Sequence, residues 1–372
     1  MKYRSAKHLE CFWDASNFFV KNLMTKARIS TDPIAASVLC SFSELRFVSD
    51  VAQEIELDEN VLDSEVASLL SLGFLESEEQ GGAGKHTEEG FDAWVPWGKE
   101  GLSFYFSTRG APFTESTDEV REEITKDPSP PVFKEYKDAD RIFLPRHHED
   151  PGHSYQEVLY RRRTHRDFVD APVRREVFSA LMAMTFGVKD FIDAQQFGAL
   201  MLRTSPAGGA RHELEAYAVI TGVAGIAPGI YHYNVREHSL ELLQEGEFRD
   251  PLTRACDAQS GVGEAPFSVV LTSVVSRLSF KYRHPRAYRV MLMNSGHLGQ
   301  TFALTATALG LGPFQTAAFN DSAVEELLGV DGVRETALYV LSAGVPAVDA
   351  NGDAVLSHPP MSLEGSRKAR FE

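Results

Sequence analysis

The sequence predicts two folded units of mixed helix and strand, the first of them a winged helix over residues 1–78. Three observations predict it. A chain of 372 residues exceeds one typical domain. Near residue 30 the apolar pattern changes from the aromatic and β-branched run of a hairpin to the 3.6-residue spacing of helices. Far downstream, a loop with adjacent glycines at Gly208 and Gly209 runs straight into an apolar, strand-like segment, Ala216 to Thr221.

In the first unit, Cys11 to Ser30 carries Phe12, Trp13, Phe18, Phe19, Val20 and Ile29, with a turn expected near Met24 to Lys26. Ser30, Thr31 and Asp32 offer N-caps, and Pro33 suits a first helical position ahead of Ile34, Val38, Leu39 and Phe42. Phe47 to Ile55 reads as a second amphipathic helix. Asp58 or Asn60 caps a third, striped by Leu62, Val66, Leu69 and Leu70 and stopped by Gly73 before the strand Phe74-Leu75-Glu76. Hairpin, three helices and a closing strand make a winged helix. Its reading helix holds Asp58, Glu59, Asp63 and Glu65, a charge that repels phosphate and argues against nucleic acid. The pattern resembles instead the leader-peptide recognition element of peptide-modifying enzymes, which captures a substrate leader as an added strand.

Charge and cysteines narrow the remaining classes. A net charge of −16 opposes a general nucleic-acid or membrane-surface role, and 43% apolar residues suffice for a core. Cys11, Cys40 and Cys256 are odd in number and far apart, without a CxxC pair for zinc or redox work, so they read as free thiols of a reducing cytoplasm. No apolar stretch reaches membrane-spanning length. Residues 79–149 read as a linker. Gln80 to Lys85 is a flexible break, Trp94, Trp97, Phe104, Tyr105 and Phe106 suggest one or two strands, and the acidic stretch Thr114 to Lys134 suggests a solvated spacer.

Helical periodicity over Tyr155 to Arg163 ends in Arg161-Arg162-Arg163-Thr164-His165-Arg166, a concentration of positive charge that calls for an anion. Guanidinium forks match phosphate oxygens, and the Thr164 hydroxyl adds a donor. In the segment Thr204 to Tyr217, TSPAGGARHELEAY, bare glycine backbone lies flat against a bound group or takes a positive φ. Arg211, His212, Glu213 and Glu215 then anchor that loop or its ligand.

RRRTHRDF, TSPAGGARHELEAY, GIYHYN (Gly229 to Asn234), FKYRHPRAYRVMLMNSGHLGQTFALTATALGLG (Phe280 to Gly312) and FNDSAVEELLGVDG (Phe319 to Gly332) follow one another in an order that resembles the nitroreductase superfamily. They are most similar to its SagB-type peptide-maturation dehydrogenases. The resemblance implies an α+β fold, a mainly antiparallel sheet wrapped by helices, over residues 150–346, with 347–372 as a tail. It also implies FMN held at the interface of a homodimer. Carried onto this chain, Arg162, Thr164 and Arg166 hold the phosphate and ribityl chain, Pro206, Ala207, Gly208 and Gly209 lie along the ring system, and Gly312, Pro313 and Phe314 form a second flavin-facing turn ahead of Ala317-Ala318-Phe319. The resemblance assigns proton removal to Lys281 and Tyr282, with Arg286 and Tyr288 as weaker substrate contacts. Asn294-Ser295-Gly296-His297 departs from relatives that carry an acidic residue there, and His297 reads as a packed histidine. The implied reaction is azoline-to-azole oxidation on a ribosomally made precursor peptide, with a cyclodehydratase as a partner. Other peptide redox steps, namely dehydroamino-acid reduction or side-chain desaturation, and a flavin-free peptide-binding scaffold are the alternatives.

Overall fold

The computed structural model describes residues 1–79, 92–111, 118–146, 150–194, 198–350 and 354–356. The chain divides into two compact units, Met1–Pro112 and Phe113–Glu372.

In the first unit, β1 (Lys2–Ser5) is the middle strand of one small sheet, while β2 (Leu9–Asp14), β3 (Asn17–Asn22) and β4 (Arg28–Ser30) form a second, antiparallel one. The expected turn near Met24 joins β3 to β4. There the Asn22 side-chain oxygen accepts from the backbone N–H groups of Met24 and Thr25 at 2.7 and 3.0 Å. Asp32 caps the helix Pro33–Ser41 by accepting from the Ala35 N–H, and Asp58 caps the helix Glu59–Ser71 by accepting from Asn60 and Val61. Between them lie β5 (Arg46–Phe47), which pairs with β1, and the helix Val48–Glu54. Gly73 at φ +77° ends the third helix, and β6 (Leu75–Ser77) returns to β1. Val38, Phe42, Val51, Leu62, Val66, Leu69 and Phe74 close the core.

The strands expected around Trp94 to Phe106 are instead a 3₁₀ turn, Asp92–Trp97, and a helix, Gly98–Thr108. Pro96 has no N–H for a ladder, and Gly98 turns the chain at φ +69°. The helix then brings Tyr105 back onto Trp94, with ring centroids 4.5 Å apart.

The second unit is built on seven strands in the order β14-β15-β13-β10-β11-β12-β7, every neighbouring pair antiparallel. These are β7 (Arg141–Phe143), β10 (Leu214–Ile220), β11 (Gly229–Asn234), β12 (Ser239–Glu245), β13 (Phe267–Val274), β14 (Gly312–Thr316) and β15 (Glu335–Gly344). A separate hairpin joins β8 (Val188–Asp193) to β9 (Ala199–Arg203). Alternation along β10 shows how the sheet is covered. Ala216, Ala218 and Ile220 join the cluster of Phe178, Leu181 and Phe302 from the helices Arg175–Phe186 and Ala287–Ala308. Tyr217 and Val219 join Leu252, Val324 and Leu328 from the helices Arg249–Ala255 and Asp321–Leu328. Both faces of the sheet are therefore buried, and β10 is inaccessible along its whole length. Among the described residues, no helix is long and apolar enough to cross a membrane.

Of the stretch expected to be a linker, the part up to Pro112 belongs to the first unit and the remainder to this one. Besides the helix Asp118–Thr125, it supplies β7 to the sheet edge. Lys134, placed at the end of the solvated spacer, donates to the Tyr217 hydroxyl at 2.6 Å and pairs with Glu335, while the Tyr136 N–H donates to Glu241 at 3.0 Å. The physical reason is that Glu335 and Glu241 are buried, and buried carboxylates require donors.

A chain of buried charge runs beneath β10. The His232 ring lies between Glu215 (3.0 Å) and Glu241 (2.9 Å), and Arg277 reaches Glu215 at 2.5 Å. Burial opposes ionisation of Glu215, but the His232 hydrogen bond and the Arg277 charge prevail and hold its carboxyl at about 2. Glu215→Gln should therefore lower unfolding free energy at neutral pH by about 3–5 kcal/mol in urea titrations. A depressed carboxyl contributes fully above its ordinary value of 4.5 and loses that contribution as pH falls toward 2. Wild type and variant should accordingly converge across that window; curves that stay parallel would exclude a buried charge at Glu215.

Candidate functional site

The residues singled out by sequence assemble as two groups, each packed against the helix Ala287–Ala308. The first begins where the helix Tyr155–Arg161 ends. Ser154 and Glu157 start that helix with a reciprocal capping box, and at Arg162 the chain leaves it (φ −55°, ψ 124°). The following residues run beside β14. The His165 N–H donates to the Pro313 carbonyl at 2.9 Å, and the Arg166 guanidinium stands 5.6 Å from the Phe314 ring centre. Among the described residues, no carboxylate pairs with Arg162, Arg163 or Arg166. In a chain of charge −16 those cations leave positive charge for a bound anion, and together with the exposed Thr164 hydroxyl they suit a phosphate. The phosphate end of FMN fits this donor set.

Gly312, Pro313 and Phe314, expected as a flavin-facing turn, are a buried strand instead. A Cβ on Gly312 would lie 2.6 Å from the His165 ring, so the glycine admits His165. This segment thus supports the arginine-rich stretch from behind. Burial, followed by the Arg162 charge, pushes the His165 imidazole below its ordinary pKa.

The second group centres on Pro206 to Gly209. Gly208 packs so tightly on the long helix that a Cβ there would lie 2.3 Å from Val290 Cγ1. Gly209 takes φ +62°, and a Cβ on it would meet the Tyr282 hydroxyl oxygen at 2.5 Å. The Gly208 N–H donates to Asn294 Oδ1 at 3.1 Å, and Asn294 Nδ2 donates to Glu213 at 2.8 Å. His297 Nδ1 hydrogen-bonds the Pro206 carbonyl at 3.1 Å, so this exposed residue braces the loop and is not the packed histidine expected. Arg211 fastens the loop's far end, donating to the Arg277 carbonyl (3.1 Å) and to Ser129 (3.3 Å). The loop thus presents main chain without bulky side chains, which suits a flat ring system.

Lys281 and Tyr282 lie in the turn after the short helix Val275–Ser279, where both N–H groups reach the Leu278 carbonyl. Lys281 Nζ stands 5.4 Å from the Tyr282 ring centre. Tyr282 packs with Leu278, Ala287 and Met291 and borders a cavity of about 610 Å³ that Tyr288 also lines. Arg286 is the N-cap residue of the long helix.

Sequence reasoning missed Val290 and the clamp role of Asn294. A polar Asn294 in the buried series Met291, Asn294, Leu298 was the available signal. Among the described residues, Arg162, Thr164 and Arg166 make no hydrogen bond or ion pair with residues 206–209.

Residues 159–345 match the model of the nitroreductase family. Over 170 residues, 44% of this chain, the sequence is 33% identical to trifolitoxin-processing protein TfxB of Rhizobium leguminosarum bv. trifolii, covering 45% of it. It therefore spans less than half the length of that relative. Over 189 residues, 51% of this chain, it is 29% identical to the nitroreductase-named protein MJ1384 of Methanocaldococcus jannaschii, covering 89% of it. A solved chain from the E. coli microcin synthetase McbBCD complex with truncated pro-MccB17 bound is similar at a TM-score of 0.44 and 21% identity, over 66% of this chain and 86% of that one.

The crowding at Gly208 gives a direct test. Gly208→Ala should destabilise the protein by about 1–3 kcal/mol through overpacking. Trimming Val290→Ala in the same chain should recover at least half of that loss in thermal melts, whereas equal losses in single and double variants would place the constraint elsewhere.

Proposed function

The chain belongs to the nitroreductase family, and from that premise we propose that it is an FMN-dependent oxidoreductase that oxidises azoline rings of a ribosomally made peptide to azoles. Members of this family bind FMN. The observation that carries the reading is the set Arg162, Thr164 and Arg166, whose arginines have no carboxylate partner among the described residues, in the same unit as a bare glycine loop that abuts Tyr282. The name of the trifolitoxin-processing relative supports a peptide-maturation setting.

In this reading the arginines and Thr164 hold the phosphate, and Pro206, Ala207, Gly208 and Gly209 lie along the ring. When bound, the flavin supplies the two-electron acceptor for the oxidation. Lys281 or Tyr282 removes the ring C–H proton, and the pair's contact across the Tyr282 face keeps both groups together. Gly312, Pro313 and Phe314 hold the phosphate-binding stretch in place through the Pro313 carbonyl and the Phe314 ring. Two copies make one site, the arginine group of one facing the loop group of the other; the exposed Tyr155, Leu159, Tyr160, Leu292 and Met293 supply apolar surface for that pairing. Residues 1–78 act as a winged helix that takes up a leader peptide as an added strand, and a cyclodehydratase makes the azolines.

Purified protein should carry flavin absorbance, and the double variant Arg162→Ala, Arg166→Ala should lose cofactor affinity by orders of magnitude, since charge-assisted bonds are each worth about 1.5–3 kcal/mol. Protein that takes up no FMN would end the proposal. Lys281→Ala and Tyr282→Phe should keep flavin and fold while turnover of an azoline peptide, followed as a loss of about two daltons per ring, falls about 10²–10⁴-fold. Near-normal rates in the flavin-loaded variants would remove both residues from the chemistry.

A further inference from the structure

Glu213 stands apart from the groups assigned to the proposed chemistry. Its backbone belongs to the sheet end, where its carbonyl accepts from the Val274 N–H at 2.8 Å, just before the short helix that leads to Lys281. Its side chain is fully buried. One carboxyl oxygen accepts from Asn294 Nδ2 at 2.8 Å; the other has no hydrogen-bond partner among the described residues. Burial raises the Glu213 carboxyl above its ordinary pKa, with the Asn294 bond pulling the other way. A buried carboxyl is unfavourable unless it is hydrogen-bonded, and the bond that meets this need here also orders its partner.

What it orders is the Asn294 amide. The two ends of an amide are nearly equal in size, so its orientation is decided by its partners. With Glu213 accepting from Nδ2, Oδ1 must point at Gly208, whose N–H it receives at 3.1 Å. Without that acceptor the amide is free to turn, setting a donor against a donor at Gly208. The next residue, Gly209, is the one that lies against the Tyr282 hydroxyl. Resting on the reading of Tyr282 as part of the proton-moving pair, we infer that Glu213 is a positioning residue: acting through Asn294, it fixes the Gly208-Gly209 backbone, and hence the gap in which Tyr282 meets ring and substrate.

Exchange of the Gly208 amide, followed in full-length protein labelled with [¹⁵N]glycine and without added flavin, tests the clamp apart from catalysis. Glu213→Ala should speed Gly208 exchange about tenfold, as expected for one lost buried bond, with sheet amides such as Gly229 unchanged. Glu213→Gln retains an acceptor for Asn294 Nδ2 and should stay within about twofold of wild type. Asn294→Leu should match Glu213→Ala, and the double variant should be no faster than either. In flavin-loaded protein, kcat on an azoline peptide should fall about tenfold in Glu213→Ala with KM within twofold, and recover in Glu213→Gln. Unchanged Gly208 exchange in Glu213→Ala, with only a lowered melting temperature, would overturn the inference. Should that variant not fold, unchanged exchange in Asn294→Leu would do the same. Failure to bind FMN would instead sink the proposed function while leaving the exchange result intact, so the two failures are distinct.

Discussion

The pairing of Arg277 with Glu215 is the interaction on which the second unit's working end depends. Both side chains are almost wholly removed from water, and they join the central strand to the short helix that precedes Lys281 and Tyr282. Arg277 also donates to the Pro131 carbonyl at 2.8 Å and reaches the His212 carbonyl. A single guanidinium therefore holds a strand, the end of the glycine loop and a segment from far upstream in one place. Its planar fork and fixed charge suit that task better than an ammonium would. With His232 between Glu215 and Glu241, each carboxylate of the network has a cationic neighbour, the condition under which buried charge is tolerable.

The long helix Ala287–Ala308 plays the complementary part by close approach. It meets the loop at Gly208 through Val290 and Asn294, and it meets β14 where the Gln315 side chain donates to the Gly299 carbonyl. Neither glycine has space for a side chain. The helix is thus closely fitted on two sides, by a bare position in the loop at Gly208 and by a bare position of its own at Gly299, which makes the spacing between helix, loop and sheet a matter of hard contact.

Features written in local pattern were legible in advance. Pro33 after Asp32, Asp58 ahead of an apolar stripe and Gly73 behind it mark helix ends wherever they occur, and the structure has those helices there. The arginine run stood out because its charge contradicts the rest of the chain. The glycine pair before β10 was readable because adjacent glycines leave the backbone bare, and Arg211 and, through Asn294, Glu213 do anchor that loop. What escaped depended on distant partners. Lys134 looks solvated until Glu335, 201 positions away, is brought beside it. Trp94 and Tyr105 have strand-forming side chains, but their stacking on one another is satisfied by helical folding, and propensity yields to such packing. His297 was misread because helix periodicity does not reveal a loop carbonyl waiting at Pro206.

The three-residue strand β7 completes the sheet from outside the stretch that matches the family. It closes the β12 side of a seven-stranded sheet whose faces are already covered. Residues 159–345, the part that matches other family members, begin after it. A fragment cut to those limits would bare the hydrogen-bonding rim of β12 and leave Glu335 without Lys134. An open rim of that kind recruits strands from neighbouring molecules. The region that matches the family is therefore smaller than the region that completes this sheet, whose last strand comes from the upstream segment.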